Sequence, residues 1–122
     1  MKKKLKFKNN FIPVNIPKIF VQDKINVKKC LDAGWISSEG SFVKSFETNF
    51  SKYHNRKYAV AVSSGTAALE IALKSLNLKK NDEVIIPTFS IIATALCVVK
   101  LGLKPILVDS DLESWNMNPQ QV

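Results

Sequence analysis

Three short apolar runs, each closing on a turn of small or acidic residues, constrain this chain more than any other feature. Tyr58-Ala59-Val60-Ala61-Val62 ends in Ser63-Ser64-Gly65-Thr66. Glu83-Val84-Ile85-Ile86 is stopped by Pro87, and Lys104-Pro105-Ile106-Leu107-Val108 closes on Asp109-Ser110-Asp111. Runs this short and this apolar read as buried strands. The segments between them have helical spacing. One starts at Gly65-Thr66 and turns Leu69, Ala72, Leu73 and Leu76 inward. The other, Ser90 to Lys100, is apolar all round and is expected to be covered on both sides. Strand–helix–strand–helix–strand with short connections predicts an α/β chain built on a βαβαβ unit, with parallel strands and right-handed crossovers.

Two helices are predicted before that unit. Phe20, Lys24, Val27 and Leu31, with Cys30 beside them, share one face, and Gly34 stops the helix at the left-handed position past its end. The second runs from about Ser41 to Tyr53, with Phe42, Val43, Phe46, Phe50 and Tyr53 on one stripe, the pattern of a core-facing helix. At the other end of the chain Asn118 has the character of an N-cap and Pro119 of a first helical residue. A chain that stops just inside an opening helix reads as a truncated one.

The chain has 122 residues, 18 Lys+Arg against 10 Asp+Glu, and a net charge of +8. Five of the lysines lie in Met1 to Lys8, which leaves 13 basic and 10 acidic side chains in the rest, a net +3. Residues 1–11 are therefore expected to be a basic, solvated tail, with residues 12–122 as the folded part. Beyond the tail no alternation of aromatic and basic residues suggests a nucleic-acid surface. Pro13, Asn15 and Pro17 interrupt the place where a signal peptide would be apolar. The most apolar run, Ile91 to Val99, is far short of the ~20 residues that span a bilayer. The expectation is a cytoplasmic protein without membrane or nucleic-acid partners. Cys30 and Cys97 share no metal-ligand spacing and are expected to be buried free thiols. No cluster of ligand-type residues predicts a metal.

In open α/β sheets ligands sit beyond the C-terminal ends of the strands. Three segments converge there: Ser63 to Thr66, Pro87 to Ser90, and Asp109 to Asp111. In the first, small residues lead directly into a helix N-terminus, whose free N–H groups, dipole and nearby hydroxyls suit a phosphate dianion. A simple helix cap accounts for Ser-Gly-Thr equally well. Neither G-x-G-x-x-G nor a Walker Gly-Lys-Ser/Thr ending is present, so neither a dinucleotide nor a nucleoside triphosphate is indicated. Asp109-x-Asp111 after an apolar strand is compatible with a phosphatase nucleophile and its acid/base partner. It follows two βα units instead of opening the fold, and continues Leu112-Glu113-Ser114-Trp115, which weakens that reading. His54, the only histidine, lies in a polar loop and is expected at the surface.

Several stretches, taken in order, resemble the DegT/DnrJ/StrS sugar aminotransferases. They are Ala33 to Gly40 (AGWISSEG) with Phe46-Glu47, Ala59 to Leu69 (AVAVSSGTAAL), Asp82 to Ser90 (DEVIIPTFS), Lys104 to Asp109 (KPILVD) and Trp115 to Pro119 (WNMNP). The resemblance spans about residues 12–122. It implies the N-terminal portion of the large domain of the aspartate-aminotransferase fold (fold type I), with pyridoxal 5′-phosphate as cofactor. It also implies a homodimer that moves an amino group, usually from L-glutamate, onto a nucleotide-linked keto-sugar. By position, Ser64, Gly65 and Thr66 correspond to the turn that grips the cofactor phosphate. Residue 91 corresponds to the aromatic ring stacked on the pyridine; Ile91 is a departure that removes π-stacking from that face. Trp35 and Ser37 fall in a segment that approaches the sugar nucleotide.

The same resemblance puts the Schiff-base lysine, and the aspartate that holds the pyridine nitrogen, beyond Val122. No catalytic residue is therefore expected within this chain, and the chain alone is expected to be inactive. Lys100, at a helix C-terminus, and Lys104, at the start of a strand, are not substitutes. A non-catalytic relative that keeps the phosphate cradle for binding or regulation is a second reading, and a phosphatase using Asp109 and Asp111 a third.

Overall fold

The computed structural model describes residues 12–122, and the basic segment of residues 1–11 lies outside them. The described residues fall into two units that divide between Ala59 and Val60.

The first unit holds two helices, α1 (Val21–Asp32) and α2 (Ser41–Tyr53). The Phe20 N–H donates to the Asp23 carboxylate at the start of α1, which neutralises an end that lacks a side-chain cap. Gly34 ends it in the left-handed region (φ 70°). The Gly34 N–H donates to Leu31 O and the Trp35 N–H to Cys30 O, the paired bonds of a Schellman stop. Asn55 (φ 50°) does the same for α2, with Arg56 N–H donating to Ser51 O. Both helices therefore begin and end where the sequence predicts. Their apolar faces behave differently from expectation. Neither helix has a buried residue, and Phe46 and Phe50, with ring centroids 5.6 Å apart, are each about half exposed. Periodicity identifies the apolar face of a helix; it does not supply the surface that covers it.

The second unit runs α3 (Gly65–Ser75), β1 (Glu83–Pro87), α4 (Ala93–Lys100), β2 (Lys104–Val108) and a short 3-10 turn, Pro119–Gln121. β1 and β2 pair in parallel, Glu83 opposite Lys104 through Pro87 opposite Val108, and α4 crosses between them. Gly102 (φ 72°) makes the reversal from α4 into β2. Gly102 N–H donates to Val99 O and Leu103 N–H to Val98 O, again a Schellman stop. Its customary apolar contact is present as well. Leu103 packs with Val98 and with Ile86 of β1, and this trio is the centre of the core, with Leu73 of α3 against it. At the C-terminus Asn118 accepts from the Gln120 N–H and Pro119 is the first helical residue, as predicted.

Three expectations need correction. Among the described residues the sheet has two strands and the run Tyr58–Val62 is not one of them, so the predicted βαβαβ unit is present as α3 followed by βαβ. Tyr58 and Val60 are about three-quarters exposed. A strand is defined by its neighbour, and β1 and β2 pair with each other and not with this run. The helix predicted from Ser90 begins at Ala93 and is covered on one side only: Cys97 and Val98 are buried, while Leu96 and Val99 stay more than half exposed. Similarly, of the residues predicted to face inward from α3, Leu73 packs on the core, whereas Leu76 is 64% exposed.

Candidate functional site

Ser64 is extended (φ −162°, ψ 163°) and is the N-cap of α3. Its Oγ accepts from the Ala67 N–H at 3.2 Å and its carbonyl from the Ala68 N–H at 3.0 Å. These two bonds use the third and fourth N–H groups of the helix. The N–H groups of Gly65 and Thr66 have no acceptor within α3 and are left for an outside one, at the positive end of the helix dipole. A Cβ built on Gly65 would meet nothing within 4 Å, so the approach to these groups is open. Helix cap and anion cradle are thus not exclusive readings of Ser-Gly-Thr. The serine hydroxyl makes the cap, and the two residues after it offer the donors.

Thr66 also lines a hollow of about 440 Å3 between α3 and α4, with Glu70, Leu96, Val99 and Lys100. Lys100 Nζ lies 2.7 Å from Glu70 Oε1, and the hydrogen bond and charge of Glu70 raise its pKa above the ordinary 10.5. Its ammonium is committed to that carboxylate. Lys104 pairs with Glu83 at 2.9 Å, at the N-terminal ends of the strands. Beneath the cradle lies Cys97, whose thiol donates to Thr66 O at 3.5 Å. No spacing signal in the sequence marks that contact, because it joins two helices through the fold.

Ile91 precedes α4 and is 74% exposed. It lines a different hollow, about 230 Å3, with Ile86, Thr88 and Leu107 among its walls. Within this unit Ile91 and the Ser64–Thr66 turn therefore border different hollows. Trp35 and Ser37 belong to the first unit. Trp35 is half exposed, its carbonyl accepts from the Cys30 thiol, and a side chain at Gly40 would press against its Cβ. The cysteines are both free, Cys97 buried and Cys30 only partly so, which corrects the expectation of two buried thiols. His54 is exposed, as expected, with its ring 4.4 Å from that of Phe50.

Past the strand ends, Thr88 Oγ1 donates to Asp109 Oδ1 at 3.2 Å, and Phe89 and Trp115 stand 5.3 Å apart over the same hollow. Asp111 Oδ1 accepts from the Glu113 and Ser114 N–H groups at 3.1 and 2.8 Å. The Ser114 backbone and hydroxyl, then the Glu113 N–H, hold its carboxyl below the ordinary 3.8. Asp111 is thus an anchor of its own turn, one carboxylate oxygen taking both backbone donors. Among the described residues no group of three or more His, Cys, Asp or Glu is placed to hold a metal, and no helix is long and apolar enough to cross a membrane.

Residues 17–122 match the model of the DegT/DnrJ/EryC1/StrS aminotransferase family. The chain belongs to that family. Its curated relatives include the GDP-perosamine synthases of Escherichia coli O157:H7, 41% identical over 92% of this chain, and of Caulobacter vibrioides, 38% identical over 88%. The chain spans about a third of the length of these relatives, 31% and 29% respectively. Among solved structures, a putative sugar aminotransferase from Streptococcus pneumoniae in its PLP form superposes with a TM-score of 0.77 at 30% identity, over 91% of this chain and 29% of that one. The E. coli GDP-4-keto-6-deoxy-D-mannose-3-dehydratase with bound hydrated PLP superposes equally well, at 31% identity over 87% and 28%. The α/β fold of this family is thus shared across nearly the whole described chain.

Proposed function

We propose that this chain is the N-terminal part of a PLP-dependent aminotransferase that moves an amino group from L-glutamate to a GDP-linked keto-sugar. The observation that carries this reading is the family match over residues 17–122, combined with a helix N-terminus that is capped yet keeps open donors at Ser64-Gly65-Thr66. The names of the relatives support the nucleotide: two are GDP-perosamine synthases, and one solved neighbour acts on a GDP-linked keto-sugar.

The residues fit the phosphate of pyridoxal phosphate. The space over Gly65 is open, and no carboxylate lies in the first turn of α3 to repel an anion. In the proposed arrangement the Gly65 and Thr66 N–H groups and the Thr66 hydroxyl hold the phosphate, while the Ser64 hydroxyl keeps the turn in shape. Ile91 covers one face of the cofactor ring by apolar contact, and Trp35 and Ser37 meet the sugar nucleotide. When bound, the cofactor supplies an electron sink for exchanging an amino group. The residues of this chain bind and orient it. The lysine and aspartate that complete the chemistry are proposed to lie outside residues 12–122, so the chain alone is inactive. The working enzyme is proposed to be a cytoplasmic homodimer, with residues 12–122 one part of its large domain and residues 1–11 a tail.

A chimera tests this. Residues 12–122 replace the matching segment of the E. coli GDP-perosamine synthase, and the product is assayed with glutamate and a GDP-linked 4-keto-6-deoxy sugar. Formation of the amino sugar is expected. A soluble, cofactor-loaded chimera that leaves the keto-sugar unaminated would overturn the proposal.

A further inference from the structure

Cys97 is 1% exposed, on the face of α4 turned toward α3, and its thiol donates to the carbonyl oxygen of Thr66, 31 positions earlier. That carbonyl already accepts the intrahelical bond of the first turn, and the thiol takes its second lone pair. One turn further along both helices, Lys100 Nζ meets Glu70 Oε1 at 2.7 Å. Two contacts spaced 66/70 on α3 and 97/100 on α4 align the helices over the turn that presents the Gly65 and Thr66 donors. α4 is itself anchored, because Val98, the residue after Cys97, packs with Ile86 of β1 and with Leu103. The open helix end is thus tied to the sheet through α4. The inner member of that tie is Cys97, since the Lys100–Glu70 pair is at the surface, where water weakens it.

We propose that Cys97 is a positioning residue for the anion cradle. From inside α4 it holds the Thr66 carbonyl, and with it the first turn of α3, where the Gly65 and Thr66 N–H groups converge on a phosphate. It touches neither cofactor nor substrate. The proposal rests on the phosphate-binding role given above to Ser64-Gly65-Thr66. Two consequences separate it from mere packing. Anion binding and burial of Cys97 are linked, because the thiol is reached only when α3 and α4 part. Loss of the thiol also costs affinity for the phosphate group, not for the ring attached to it.

The test uses the 122-residue chain with pyridoxine 5′-phosphate and pyridoxine, which lack the aldehyde that would condense with surface lysines. Alkylation of each cysteine is followed by mass spectrometry, with the partly exposed Cys30 as internal reference. Pyridoxine 5′-phosphate at ten times its Kd is expected to slow alkylation of Cys97 about tenfold, as binding to the closed form alone requires. Cys30 should be unaffected, and pyridoxine at the same concentration should do little. Affinities are then measured for Cys97→Val, Cys97→Ala and Cys97→Ser. The preference for the phosphorylated over the unphosphorylated ligand should fall about fivefold in the Val and Ala variants, the scale of one hydrogen bond. It should be retained in Cys97→Ser, which keeps a donor. A wild-type preference that persists in both Val and Ala variants overturns the positioning role and leaves the cradle standing. A wild-type chain with no preference for the phosphorylated ligand overturns the cradle and the positioning role together.

Discussion

Replacing Ser64 separates the two tasks of the Ser-Gly-Thr turn. Ser64 Oγ accepts from the Ala67 N–H at 3.2 Å, so Ser64→Ala strands one first-turn donor of an 11-residue helix. N-cap serine to alanine costs about 1 kcal/mol, within a range of about 0.5–2, and glycine in the same place costs only a few tenths. The bond is of ordinary length and its surroundings are exposed, which puts the expectation near the middle of that range, about 1 kcal/mol. Ser64→Ala should therefore lower the free energy of unfolding by about that amount in urea titrations followed by circular dichroism, and Ser64→Gly by less than half as much. Amide exchange supplies the local measurement. At Ala67 exchange should accelerate about fivefold in Ser64→Ala, while amides of β1 and β2 change only with global stability. If Ser64→Ala is neutral and Ala67 exchanges as in the unmodified chain, the hydroxyl does not cap α3. Ser64 would then be free to act directly on the phosphate, and the division of labour argued above would be wrong.

Thr66→Val, which keeps the side-chain shape and removes the hydroxyl, should weaken pyridoxine 5′-phosphate by about 1.5–3 kcal/mol, the range for a hydrogen bond to a charged group, with pyridoxine unaffected in the same titration. Val98→Ala should destabilise the second unit by about 2–3 kcal/mol, from about 0.8 kcal/mol per buried carbon plus the cavity left between Ile86 and Leu103; urea titration measures it. Ile91→Phe should change stability by less than about 0.5 kcal/mol in the same titration, because Ile91 is 74% exposed and the added volume enters no packed space. The carboxyl of Asp111 titrates below 3.8 in the fold, so its turn contributes fully above the unfolded value and loses that contribution as pH falls through the folded one. Asp111→Asn should flatten the acid limb of the stability profile below about pH 4, read by circular dichroism.

What the sequence determined by itself is local. Gly34 and Gly102 stop α1 and α4 because a left-handed residue followed by the paired bonds of a Schellman stop needs only a few consecutive residues. Asn118-Pro119 opens a helical turn for the same kind of reason. The parallel pairing of β1 with β2 was legible too, since a short crossover helix between two apolar runs admits little else. The anion-binding character of Ser64-Gly65-Thr66 could be argued from residue type and helix polarity, without knowing what lay beneath. Only the tertiary structure decided what depends on partners. Tyr58–Val62 has the composition of a strand, yet strand formation requires a neighbouring ladder, and β1 and β2 pair with each other and not with this run. The Phe42, Phe46 and Phe50 stripe has the period of a core face, but burial depends on an opposing surface and these rings keep at least a third of theirs exposed. Asp109-Ser110-Asp111 supplies two carboxylates, and the structure shows backbone donors from Glu113 and Ser114 engaging Asp111. Cys97 beneath Thr66 had no signal at all in the sequence, because a contact between residues far apart in the chain exists only once α3 and α4 pack on the sheet.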